Sequence, residues 1–297
     1  MFVDLLGKVR VKMCVRVHTN RSDGYLSPED RAERFIAKGF DAVAITDTWN
    51  YMGDCEINGL KIISGCEYEI GGAYTLAAVG MTSDPKISSE LEHMVRTSTP
   101  KTADLIKKIH LFNGLAFLCR VTENDNDPEK MAELTELDGI EIYGADFTRS
   151  AMEEAYAGES VDELARLGKL PVILASGGVI CDDEESDGVA IMVESVDMET
   201  SSIIRALKNG RFYATQGPEI HLTKVAPDKV KLVCSPASRV EFFSNLGESG
   251  GRELLGEGII EAEYTATEGE RFVRAEVTDA DGKMAWSNII TFEELYR

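Results

Sequence analysis

Apolar and polar positions alternate strictly over residues 9–18, with Val9, Val11, Met13, Val15 and Val17 against Arg10, Lys12, Cys14, Arg16 and His18. A period of two marks a β-strand. Ser27-Pro28-Glu29-Asp30 then predicts a helix start: Ser as N-cap, Pro in the first turn, carboxylates at the positive end of the dipole. Ala32, Phe35 and Ile36 supply its apolar face, and Lys38-Gly39 its stop. The run Ala42-Val43-Ala44-Ile45-Thr46 is apolar almost throughout, as in strands buried on both faces. Similar patterns predict strands at 60–64, 74–81, 115–119, 139–143, 171–175 and 189–194, and helices at 102–112, 128–137, 151–167 and 200–209. Strands and helices taking turns in this way predict a parallel α/β architecture, open or closed into a barrel.

Beyond Gly217-Pro218 the grammar changes. Strands at 220–225, 230–234, 239–243, 261–266, 272–278 and 287–292 follow one another without helices, and Asp279-Ala280-Asp281-Gly282 is a hairpin signal. Such a run predicts a small all-β sandwich, with Trp286 as its core anchor. The expected units are therefore 1–217 and 218–297. Neither internal repeats nor low-complexity segments stand out.

Composition narrows the function. A chain of 297 residues with 43% hydrophobic and 28% charged content is an ordinary folded protein of one large or two smaller domains. A net charge of -21 argues against a nucleic-acid partner, because phosphate contacts need clustered Lys and Arg. Any anion site must then be built from local positive groups. The six cysteines include no C-x-x-C pair, and Cys14, Cys66 and Cys119 sit in apolar strand-like runs, where a free thiol behaves as a small hydrophobe. That usage suits a reducing compartment. With no signal-like apolar core and no apolar run long enough for a membrane, the expectation is a cytoplasmic protein with no membrane partner. Oligomeric state is left open.

The candidate chemistry begins at Val15-Arg16-Val17-His18-Thr19-Asn20-Arg21-Ser22-Asp23-Gly24. Residues 16 and 18 of a strand point to the same side. Two histidines there, with an Asp five residues on, would offer imidazole and carboxylate ligands to neighbouring metals. Arg16 is a permanent cation and cannot ligate one. This segment, together with Lys38-Gly39-Phe40-Asp41-Ala42-Val43-Ala44-Ile45-Thr46-Asp47, Gly65-Cys66-Glu67 and Gly114-Leu115-Ala116-Phe117-Leu118, resembles the PHP (polymerase and histidinol phosphatase) family over residues 10–215. The tail resembles the β-domain appended to a subgroup of that family, through residues 210–218 and 281–288. The resemblance implies a distorted, seven-stranded parallel β/α barrel. In that family two or three divalent metals sit at the strands' C-terminal ends and phosphate esters are hydrolysed.

Where the family has His-x-His, this chain has Arg16-Val17-His18; where it has Thr-Asp-His, Thr46-Asp47-Thr48. The His expected on the next strand aligns with Thr75, the Ala-His-Pro with Cys119-Arg120-Val121, and the final Asp-x-His with Gly178-Val179-Ile180. His18, Asp23 and Glu67 remain. The resemblance implies one metal on His18 and Glu67 and another on Asp23, whereas hydrolytic centres need about three protein ligands each. The expectation is thus a phosphoesterase-like protein with a degenerate metal site. It is either non-catalytic or binds a small anionic, phosphate-type ligand through Arg16, His18, Arg120 and Trp49. No cofactor is expected; if there is one, it is zinc, iron or manganese.

The guanidiniums have two readings. Arg16 and Arg120 either pair with Glu67 in place of the metal's charge, or grip a ligand's phosphate or carboxylate. Two alternatives stay open for the whole chain. One is an active hydrolase with a single metal on His18 and Glu67 and Asp23 or Asp47 as base on a metal-bound water. The other is an interaction module working through the β-sandwich. Cys66, Cys119 and Cys181 make a poor soft-metal centre, since Cys66 and Glu67 face opposite ways on a strand. The run Asp182-Asp183-Glu184-Glu185-Ser186-Asp187 reads as a solvated acidic loop rather than a calcium site. His93, His110 and His221 read as surface or packing residues.

Overall fold

The expected first strand is β2 (Val9–Val17), preceded by a short β1 (Phe2–Val3) that pairs antiparallel with its start. The computed structural model describes all residues except 72–73, 98–100, 122–127, 135, 146–154, 178–187, 247–251 and 293–297. Val11, Met13 and Val15 of β2 face one core, while Cys14 and Val17 face another with Phe35 of α1 (Pro28–Ala37). The predicted helix start is realised: Ser27 Oγ accepts the Asp30 N–H at 3.1 Å and Pro28 opens the first turn.

β3 (Ala42–Ile45) lies parallel to β2, and β5 (Leu60–Ile63) parallel to β3. β4 (Cys55–Ile57) folds back on β5 through Asn58-Gly59, both with positive φ (53° and 89°), as a two-residue hairpin turn requires. A second group contains β6 (Gly65–Ile70), β7 (Tyr74–Val79), β8 (Leu115–Cys119), β9 (Gly139–Gly144) and β10 (Val172–Ser176). Helices α2 (Ser89–Thr97) and α3 (Thr102–Leu111) precede β8, while α4 (Pro128–Glu133) and α5 (Gly158–Arg166) flank β9. β11 (Ala190–Glu194), α6 (Thr200–Lys208) and β12 (Phe212–Thr215) complete the first 217 residues.

The mixed α/β content expected of the first half is present, but the distorted, seven-stranded parallel barrel that the resemblance implies does not appear as a closed barrel. The strands form two sheets, of thirteen and five strands among the described residues. The five-stranded sheet runs β10-β9-β8-β7-β6, and its contacts with β3's end are the isolated bridges Thr48–Glu67 and Met52–Gly65. β6 and β7 are antiparallel because only residues 71–73 join them, far short of a crossover. β7–β8 and β2–β11 are antiparallel too. A barrel ladder needs continuous registered pairing, which the isolated bridges do not supply.

The tail is rich in sheet, as expected. β13 (Ile220–Ala226), β14 (Lys229–Ser244), β15 (Glu253–Thr265), β16 (Phe272–Thr278), β17 (Met284–Trp286) and β18 (Ile290–Thr291) follow in order. The two strands expected at 230–234 and 239–243 are one, bent by register shifts between Val233 and Arg239. β17 pairs with β12, placing Ala214 opposite Trp286, so the ladder runs across residue 217. Trp286 was expected in a separate tail core. It instead joins the core of the first half, stacked 5.4 Å from Tyr143 of β9. No helix among the described residues is long and apolar enough to cross a membrane.

Candidate functional site

Arg16 is placed by a break in its own strand. The β2–β3 register shifts between Cys14 and Val17, and Arg16 adopts φ 62°. Such a bulge re-aims a side chain, and a left-handed L-residue costs about 1–2 kcal/mol. The guanidinium points between the two sheets. Nε donates to Glu67 Oε2 at 2.8 Å, and Nη1 to the two Glu141 oxygens at 3.3 and 3.4 Å. Arg16 is 0% exposed, Glu67 2% and Glu141 3%.

His18 reaches the same glutamate, as the alternation predicts. Its Nε2 lies 3.1 Å from Glu67 Oε2 but off the line of a good hydrogen bond, so that contact is chiefly charge on charge. Nδ1 meets Asp23 Oδ1 at 2.5 Å. Burial opposes a charge on this imidazole, yet Asp23 and Glu67 outweigh it and raise the pKa to about 9. Asp23 is held down at about 2 by the same hydrogen bond, despite some burial. Burial alone would raise the Glu67 carboxyl, but Arg16 and His18 keep it below its ordinary value. Two cations are thus interleaved with three carboxylates.

Asp47, at the end of β3, is fully engaged. It accepts the Thr19 N–H and hydroxyl at 2.7 Å each and the Ser22 hydroxyl at 2.8 Å. Arg120 also has a positive φ (55°), and its backbone N–H donates to Glu141 Oε2 at 2.8 Å. Ser176 donates to the other Glu141 oxygen. Gly144 leaves room for that carboxylate, since a Cβ there would stand 2.9 Å from Oε2. Trp49, at φ 55°, donates its N–H to the Glu67 carbonyl at 2.8 Å. Its ring packs edge-on to Tyr68, and the Arg96 guanidinium lies 4.4 Å from its centroid.

The structure therefore gathers Arg16, His18, Asp23, Asp47, Glu67, Trp49 and Arg120 at one end of the strands. Thr48 bridges to Glu67, and Thr75 pairs in register with Cys119. Gly178, Ile180, Cys181 and the acidic run 182–187 lie outside the described residues. Glu141 escaped the sequence reading. A lone carboxylate within Gly139-Ile140-Glu141-Ile142-Tyr143 was its signal, since Glu is rarely buried without a partner.

A divalent metal would need about three protein ligands from these groups. Among the described residues no cluster of three or more His, Cys, Asp or Glu is arranged to hold one. Burial pushes the Cys66 thiol up to about 12 and the Cys119 thiol up as well. An ion on Glu67 would also face the Arg16 guanidinium, a repulsion of roughly 4 kcal/mol at 4 Å and an effective dielectric of 20.

Comparison with known proteins agrees with the resemblance. The family model for the PHP domain matches residues 15–213, and the chain belongs to that family. A two-domain protein from Bacteroides vulgatus, containing a predicted PHP-like metal-dependent phosphoesterase, superposes with a TM-score of 0.54 at 15% identity. The match covers 98% of this chain and 97% of that one, so the likeness of fold includes the tail. A lesion-specific endonuclease from Pyrococcus furiosus, at a TM-score of 0.45 and 14% identity, covers 68% of this chain and 56% of its own. A search of curated proteins finds no match.

Proposed function

We propose that this PHP-family protein does not hydrolyse phosphate esters, and that it serves as a binding scaffold whose former metal charge is supplied internally by Arg16 and protonated His18. The observation that carries this reading is the Arg16 guanidinium, buried and bonded to Glu67 and Glu141. Of the two roles weighed for it, charge replacement is favoured over anion capture. An incoming phosphate would have to displace carboxylates already bonded to Arg16 and His18.

The active-hydrolase alternative needs a neutral His18 and a free base. His18 sits between two carboxylates, Asp23 is tied to it, and Asp47 accepts three hydrogen bonds. None is poised to take a proton from water. An acidic chain with free, mostly buried cysteines suits a cytoplasmic setting without nucleic acid.

Elemental analysis and a phosphomonoester assay with added manganese, zinc and iron(II) test the reading. The expected result is no stoichiometric metal and no turnover above buffer with any of the three. A metal retained at one or more per chain through dialysis, or metal-dependent turnover that Glu67→Gln abolishes, overturns it.

A further inference from the structure

A second place in the molecule gathers polar groups that the PHP centre does not use. Where the tail joins the first half, a cavity of about 200 Å³ is walled by Lys8, Arg10, Glu194, Arg211, Tyr213 and His221, among others. Lys8 and Arg10 come from the start of β2 and the turn before it, Arg211 and Tyr213 from β12 and its approach, and His221 from β13. The walls thus belong to both sides of residue 217.

In a chain of net charge -21, this lining holds three permanent cations against the single carboxylate of Glu194. Two of the cations have partners: Lys8 Nζ lies 2.8 Å from Glu194, and Arg10 Nε lies 2.6 Å from Asp4 behind the wall. Arg211 does not. Its guanidinium has no hydrogen-bond or ion-pair partner among the described residues. The Tyr213 hydroxyl has none either, although the residue is only 4% exposed. Burial raises the Tyr213 pKa, so the phenol stays a neutral donor. His221 meets Glu219 at 3.2 Å and is held below its ordinary pKa by burial, hence neutral at pH 7.

Tyr213 and Arg211 both line the cavity, Arg211 from an exposed position. A phenol and a guanidinium on one cavity thus keep donors that no described residue accepts. We infer that the junction cavity binds a small organic anion, its carboxylate or phosphate group held by Arg211 and Tyr213, with Lys8 adding charge. Guanidinium suits both oxyanions, since its fork matches two oxygens at once. The volume is below the roughly 300–1,000 Å³ of drug-sized sites, so the occupant is small. A ligand here touches both halves and stabilises the whole chain by mass action. The inference is independent of the role given to Arg16.

Calorimetric titration of the full chain with sodium phosphate and with sodium malonate, in matched sodium chloride, tests it. Saturable one-site binding of at least one probe is expected, with a Tm that rises with its concentration. Arg211→Ala weakens binding by about tenfold or more, and Tyr213→Phe by about threefold or more. Arg211 is exposed and the Tyr213 hydroxyl donates to none of the described residues, so both variants keep the unliganded Tm. Phosphate alone identifies a phosphoryl headgroup, malonate alone a carboxylate, and both a site for any dianion of that size. Absence of saturable binding for both probes, or binding that Arg211→Ala leaves unchanged, overturns the inference.

Discussion

Arg274 of β16 and Arg16 of β2 are both 0% exposed and each sits between two carboxylates, yet they hold them differently. Arg274 reaches from the tail to α5, where Nε and Nη2 grip the two Asp162 oxygens at 2.6 and 2.8 Å while Nη1 bonds Glu276. Tyr156 donates to Glu276 at 2.5 Å, and the Phe243 ring lies 4.1 Å from the guanidinium. Its backbone is regular strand. Among the described residues, Arg16 makes one short bond to Glu67 and two long ones to Glu141, from a left-handed backbone. The junction cluster has the geometry of a joint built around its arginine. The cluster at the strand ends has the looser geometry that the proposed charge replacement calls for. A buried guanidinium is therefore not one device, and its hydrogen-bond geometry separates a joint from a replacement.

The largest expected effect comes from removing each arginine. Arg274→Met leaves Asp162 and Glu276 buried without their cation and costs about 5 kcal/mol, the upper end for a broken buried pair. Arg16→Met costs about 3 kcal/mol, because His18 still faces Glu67. Urea unfolding measures both. If Arg16→Met proves the more damaging, the replacement reading loses its energetic basis. The triple variant Arg16→Met, Glu67→Gln, Glu141→Gln regains most of the loss, since no charge is then left unpaired.

The same contrast explains what the sequence discloses. The cap of α1, the strands β2, β3 and β8, and β16 at 272–278 are legible because local periodicity and capping chemistry decide them. Strand direction is not local. The hairpin between β6 and β7 and the antiparallel partners of β11 depend on which end of the sheet the chain returns to. α2 is missed because its apolar face is thin, with only Val95 buried. At the site, Arg16, His18, Asp23 and Glu67 stand out as polar residues ending apolar runs. Glu141 and Ser176 become visible only when a cation is found between the sheets. Arg274 and Asp162 are 112 residues apart, and nothing in either neighbourhood announces the other.

A middle-sized effect separates the clusters by pH. His18 has a folded pKa of about 9, above its usual 6.5. Its charge stabilises the fold fully below the unfolded value and ceases to do so as pH rises through about 9. The difference between pH 6 and pH 10 amounts to about 3 kcal/mol at most. Asp23, lowered to about 2, acts at the other end: its contribution is present above 3.8 and fades only as pH falls through about 2. The Asp162–Arg274–Glu276 cluster contains no histidine. His18→Gln should accordingly flatten the alkaline slope of stability between pH 6 and pH 10, measured by urea unfolding. An unchanged slope in that variant would place the titrating group elsewhere and undo the charged-imidazole half of the replacement.

The smallest effect is the most direct reading of geometry. Lysine keeps the charge and discards the planar fork, so Arg→Lys isolates what the fork contributes. Arg274→Lys gives up a bidentate grip on Asp162 and a separate bond to Glu276, and costs about 2 kcal/mol. Arg16→Lys gives up, among the described residues, one good bond and two long ones, keeps the same left-handed backbone penalty, and costs about 1 kcal/mol. The backbone term cancels because lysine and arginine pay it alike. What remains is the quality of the hydrogen bonds alone. Equal costs in thermal unfolding would mean that Arg16 uses its fork as fully as Arg274 does, and the pocket at the strand ends would then count as one remade for its arginine.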